Sequence, residues 1–118
     1  MTWFAGLGPR QWATTPVTES GFVRLSLNRA VVGTSVPGAT VLTMVRRLSA
    51  LPNHVFLPDA ARLAFTEFDT ERLATARQVT DFHLLAVARS AGAVLTTMDK
   101  TIPSYLAGAD RYLVELLP

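Results

Sequence analysis

The run T-D-F-H-L-L-A-V-A-R-S-A-G-A-V-L-T, residues 80–96, constrains the fold more than any other stretch. Its first part predicts a clear helix. Thr80 is placed to cap that helix and Gly92 to end it as its C′ residue. Ala93, Val94, Leu95 and Thr96 then predict a short apolar strand. Helices alternate with short apolar strands along the rest of the chain too. That order predicts an α/β fold: a three-layer α/β/α sandwich with a mostly parallel central sheet and helices on both faces.

The other elements follow from local signals. Residues 2–7 read as the end of a helix stopped by Gly8-Pro9. Trp12 to Val17 read as a strand, and Thr18 as the N-cap of a helix through Phe22 and Leu25. Residues 29–36 read as a loop. Ser35-Val36-Pro37 opens a helix with Val41, Leu42, Val45 and Leu48 along one stripe, ended by Pro52-Asn53. His54 to Leu57 predict a strand, residues 60–77 helical turns broken by a loop, and Pro103 to Gly108 a loop or short helix. Arg111 to Leu117 predict a final strand. The 118 residues fit one domain.

Composition narrows the class. Hydrophobic residues make up 49% and charged residues 17%, which excludes a disordered chain. There is no cysteine, so disulfides and thiolate metal sites are excluded. No apolar run reaches the roughly 20 residues that span a bilayer, and no signal-peptide pattern opens the chain. These features predict a cytoplasmic protein with no membrane partner. The net charge of +2 is compatible with a nucleic-acid partner but too small to identify one.

In parallel sheets, ligands bind outside the carboxyl ends of the strands. Glu19 lies just past a predicted strand, in the first turn of a helix. Asp99 lies just past another. Asp81 lies in the first turn of the helix that leads into that second strand, and joins them only if its helix start reaches the same edge. A plainer reading stands beside each: first-turn acids complement the helix dipole, and Asp99 suits a turn. Clustered carboxylates would suit a hard divalent cation and an in-line displacement at phosphorus. His54 and His83 read as structural or surface residues. No glycine-rich phosphate loop and no Ser/His/Asp signature is present.

Three stretches carry a resemblance: T-T-P-V-T-E-S-G-F-V-R-L (14–25), F-L-P-D (56–59) and R-Q-V-T-D-F-H-L-L-A-V-A-R-S-A-G-A-V-L-T-T-M-D (77–99). Together they resemble a PIN domain, in particular the VapC-type toxins of bacterial toxin–antitoxin modules. The resemblance implies a metal-dependent endoribonuclease, inhibited by a cognate antitoxin and commonly a homodimer. Glu19, Asp81 and Asp99 match the family's acids, and the implied role is shared Mg²⁺ or Mn²⁺ coordination, with a metal-activated water as nucleophile. Arg24 and Arg77 are candidate RNA contacts, though each also suits a solvated surface.

One departure stands out. Family members resemble one another in an N-terminal strand of the form L-D-x-N-V-L, which carries a further acid. No such segment is found here, and no acid precedes Glu19. The expectation is a single PIN-like domain over residues 1–118, N-terminally truncated relative to the family, from a reading frame opened at an internal methionine. The alternative is a shortened, inactive chain that acts only by binding an antitoxin or a sister subunit.

Overall fold

A computed structural model describes residues 11–118, so the helix end expected at residues 2–7 lies outside the described residues. The chain divides after Asp59 into two compact units, each with its own parallel strand pair.

The first unit holds β1 (Trp12–Thr14), α1 (Pro16–Ser26), α2 (Arg29–Val32), α3 (Gly38–Ser49) and β2 (His54–Phe56). β1 and β2 pair in parallel, with Trp12 opposite His54 and Thr14 opposite Phe56. The strand-to-helix junction comes earlier than the sequence pattern predicts. Thr15, not Thr18, is the N-cap. Its hydroxyl accepts from the Thr18 N–H at 3.1 Å, and the Thr18 hydroxyl accepts from the Thr15 N–H at 2.8 Å. This reciprocal capping box satisfies two donors that a helix start leaves orphaned. Pro16 follows at the first helical position, where its missing N–H costs nothing.

The predicted loop at 29–36 contains a single helical turn, α2, capped by the Asn28 side chain on the Ala30 N–H at 3.0 Å. Its end at Gly33, with φ of 80°, uses the left-handed conformation that glycine adopts without strain. α1 packs against α2 and α3, and α3 against β2. After α3, Asn53 takes a φ of 66°, tolerable for asparagine, and turns the chain into β2.

The second unit holds two 3₁₀ turns (Leu63–Phe65 and Ala76–Gln78), α4 (Val79–Ser90) and β3 (Leu95–Thr97). Two further 3₁₀ segments (Ile102–Tyr105 and Gly108–Leu113) precede β4 (Val114–Leu116). α4 begins before Thr80, which lies inside its first turn. The Gln78 side chain accepts from the Ala74 and Thr75 N–H groups at 2.7 and 2.9 Å, ordering the approach to the helix. The C-terminus follows expectation. Gly92 has a φ of 65°, and the Ala93 N–H returns to the Ala88 carbonyl at 2.8 Å, as in a Schellman ending.

β3 and β4 pair in parallel, Leu95 opposite Val114 and Thr97 opposite Leu116. The final strand is shorter than predicted, because Arg111 to Leu113 belong to the preceding 3₁₀ segment. The reason is packing: Leu113 is buried in the core from that segment, which takes its apolar character away from the strand.

The core of this unit is Phe68, Phe82, Leu85, Ala86, Ile102, Leu106 and Leu113. Phe82 stacks on Phe68 with centroids 6.2 Å apart and on Tyr105 at 5.7 Å. Leu85 is fully buried, whereas Leu42 in α3 is about half exposed. Leu85→Ala is therefore expected to cost about 2–5 kcal/mol in urea denaturation. Leu42→Ala is expected to stay within about 0.5 kcal/mol.

Candidate functional site

Asp81 and Asp99 belong to the second unit. Asp81 sits in the first turn of α4, half-buried, immediately before the wholly buried Phe82. Asp99 is exposed two residues past β3. Local hydrogen bonds set its position. The Asp99 N–H donates to Thr97 Oγ1 at 3.0 Å, and Oδ1 accepts from the Thr101 N–H at 2.9 Å and the Thr101 hydroxyl at 2.7 Å. The Thr101 hydroxyl lies 3.4 Å from the Tyr105 hydroxyl.

The two carboxylates sense one another. Burial pushes the Asp81 carboxyl above the usual aspartate range, and the charge of Asp99 pushes it further the same way. Asp99 moves oppositely, held below its ordinary range by the Thr101 hydroxyl and then by the Thr101 N–H. Asp99 thus ionises first, and the repulsion falls on Asp81, which must ionise beside an existing negative charge.

Glu19 belongs to the first unit, in the first turn of α1. Its Oε2 accepts from the Thr14 hydroxyl at 2.5 Å. The same hydroxyl oxygen lies 2.8 Å from His54 Nε2. Counting from the cap at Thr15, Thr14 is N′ and Glu19 is N4. Those two positions carry the apolar contact of a hydrophobic staple in many helices. Here the pair is polar. Glu19 also lines a groove of about 370 Å³ with Ser20, Val23, Arg24, Leu42 and Val45. Arg24 is exposed in the last turn of α1, and Arg77 is exposed in the turn before α4.

The donor chemistry suits a hard cation. Carboxylate oxygens are ligands that Mg²⁺ accepts, while Mn²⁺ tolerates the same donors. Among the described residues no group of three or more His, Asp or Glu side chains forms a metal cradle. Asp81 and Asp99 are the two acids that are electrostatically coupled. Sequence reasoning overlooked Thr14, Thr101 and the polar contact of His54. A cap placed at Thr15 would have exposed the Thr14–Glu19 relationship.

No family model matches the chain. It is 36% identical over 116 residues to Ribonuclease VapC39 of Mycobacterium tuberculosis, spanning 98% of this chain and 81% of that protein. Identity to Ribonuclease VapC38 of the same organism is also 36%, over 115 residues that span 98% of this chain and 80% of the relative. Ribonuclease VapC44, again from that organism, is 28% identical over 101 residues, 85% of this chain and 70% of the relative. The chain belongs to the VapC ribonuclease family. Its mixture of helices with small parallel strand pairs is compatible with the α/β PIN-like fold expected from the sequence. Among the described residues no helix is long and apolar enough to cross a membrane.

The opposed shifts predict a pH effect in metal-free, chelator-treated buffer. Asp81, raised on folding, lowers stability above its folded range, and that penalty vanishes below the ordinary aspartate range. Asp99, lowered on folding, adds stability above the ordinary range, which is lost as pH falls through its folded range. Asp81→Asn is expected to raise the urea midpoint at neutral pH, with the gain shrinking in acid. A midpoint clearly below the parent's would count against close clustering of the two carboxylates.

Proposed function

We propose that this chain is a metal-dependent endoribonuclease, the toxin of a type II toxin–antitoxin pair, with Mg²⁺ or Mn²⁺ held by Asp81 and Asp99; Glu19, in the first unit, is a further candidate ligand. The observation that carries this reading is the carboxylate pair, found in a chain 36% identical to a ribonuclease along nearly its whole length. When bound, such a cation supplies Lewis-acid stabilisation of charge on phosphoryl oxygens and activation of water.

The chain's own residues do the rest. Thr101 keeps Asp99 ionised and oriented, ready to ligate. Asp81 must lose its proton to ligate, so proton and cation compete for it. Arg24 and Arg77 are exposed, and they attract the phosphate backbone in a salt-dependent way. The reading extends to a cytoplasmic setting, to a cognate antitoxin and to pairing of two copies; the family relationship supports these.

Cleavage of a labelled RNA in Mg²⁺ or Mn²⁺, abolished by chelator, is the expected result. Asp81→Asn combined with Asp99→Asn should lower the rate at least ~100-fold, the upper range seen even for outer-sphere changes at metal sites. Full cleavage by the double variant would remove these two residues from the site. A parent chain that binds a partner but cuts no RNA would favour a purely protein-binding role.

A further inference from the structure

We propose that His54 is a positioning residue for Glu19, acting through the hydroxyl of Thr14. The inference deepens the ribonuclease reading and rests on it for its functional meaning. Its structural content stands on three atoms: Glu19 Oε2, Thr14 Oγ1 and His54 Nε2, in contact at 2.5 and 2.8 Å.

Proton counting sets the direction of both bonds. A threonine hydroxyl has one hydrogen to give, and an ionised carboxylate only accepts. The short contact to Oε2 therefore takes the Thr14 hydrogen. Oγ1 is left with lone pairs, so Nε2 of His54 must donate to it. That requires hydrogen on Nε2. A neutral ring protonated only at Nδ1 would set lone pair against lone pair.

Two consequences follow. Donation into Oγ1 polarises the hydroxyl and strengthens its bond to Glu19. It also stops the hydroxyl rotating to another acceptor, so one oxygen of a flexible side chain is pinned and the other is the one available to a ligand. The imidazole is itself held from behind. Its ring packs edge-on against Trp12 with centroids 4.6 Å apart and planes at 66°. The strand register places Trp12 opposite His54, and Trp12 Nε1 donates to the Pro52 carbonyl at 3.3 Å. The relay thus runs from the parallel pair of β1 and β2 to the first turn of α1. Side chains that orient ligating groups in this way are ordinary outer neighbours of metal sites, and their loss typically lowers affinity or activity about 10–100-fold.

The experiment has two arms, separable by design. The first reads the His54 tautomer by ¹⁵N NMR on the parent chain without metal, at mildly alkaline pH, with the signal assigned by its absence from His54→Gln. The expected ring carries hydrogen on Nε2. In Glu19→Ala the Thr14 hydroxyl loses its acceptor and turns its hydrogen toward Nε2, shifting the ring toward the Nδ1-protonated form. A parent ring protonated on Nδ1, or a tautomer indifferent to Glu19→Ala, overturns the relay.

The second arm measures RNA cleavage. His54→Phe keeps an aromatic ring beside Trp12 but removes the donor, and should lose about 10-fold in kcat at saturating metal. His54→Gln, which retains a donor, should recover most of that loss. Equal loss in both variants overturns the positioning role. A parent chain that cuts no RNA sinks the ribonuclease reading instead, and the tautomer comparison then decides the relay by itself.

Discussion

The stacking of Tyr105 on Phe82 links the core of the second unit to both of its candidate ligands. Phe82 is fully buried, and Asp81 is its neighbour in α4, so the packing that seats the ring also sets where the carboxylate emerges. Tyr105 lies on the same ring. Its hydroxyl reaches toward Thr101, whose hydroxyl and N–H hold Asp99. Two like charges are thereby kept within electrostatic reach by apolar contacts that do not themselves depend on a ligand. A loop alone would let the aspartates drift apart to relieve their repulsion.

The first unit solves a similar problem with a helix start. The cap at Thr15 fixes the chain's entry angle into α1, and that angle brings Thr14 against Glu19. Both Glu19 and Asp99 therefore accept from a threonine hydroxyl with a polar aromatic side chain behind it. His54 makes the tighter contact, at 2.8 Å against 3.4 Å for Tyr105. Acids ordered in advance lose less freedom when a ligand arrives, which is the physical advantage of such outer contacts.

Much of the element order was legible because it rests on local chemistry. Gly92 could be recognised as a helix stop since only glycine takes its left-handed φ without strain. Asn28 to Gly33 was harder, because one helical turn has too few residues to show a period. The early cap was missed for a related reason: Thr14, Thr15 and Val17 look like strand residues by propensity. Pro16 and the reciprocal Thr15–Thr18 bonds override that preference. The last strand was overextended because Leu113 is apolar in either conformation, and burial in the core decided between them.

By itself the sequence determined the α/β alternation, the parallel pairing it entails, and the positions of Glu19, Asp81 and Asp99 at helix starts and a strand end. These follow from periodicity, capping chemistry and chain direction, all of which act over a few residues. Only tertiary structure decided which acids are electrostatically coupled and which side chains orient them. Thr14 and His54 are separated by 40 residues and meet only because β1 and β2 align in one register. Asp81 feels Asp99 because α4 and the turn after β3 pack on one core. Contacts of that kind depend on which surfaces are buried together, a property of the packed chain and not of any short segment.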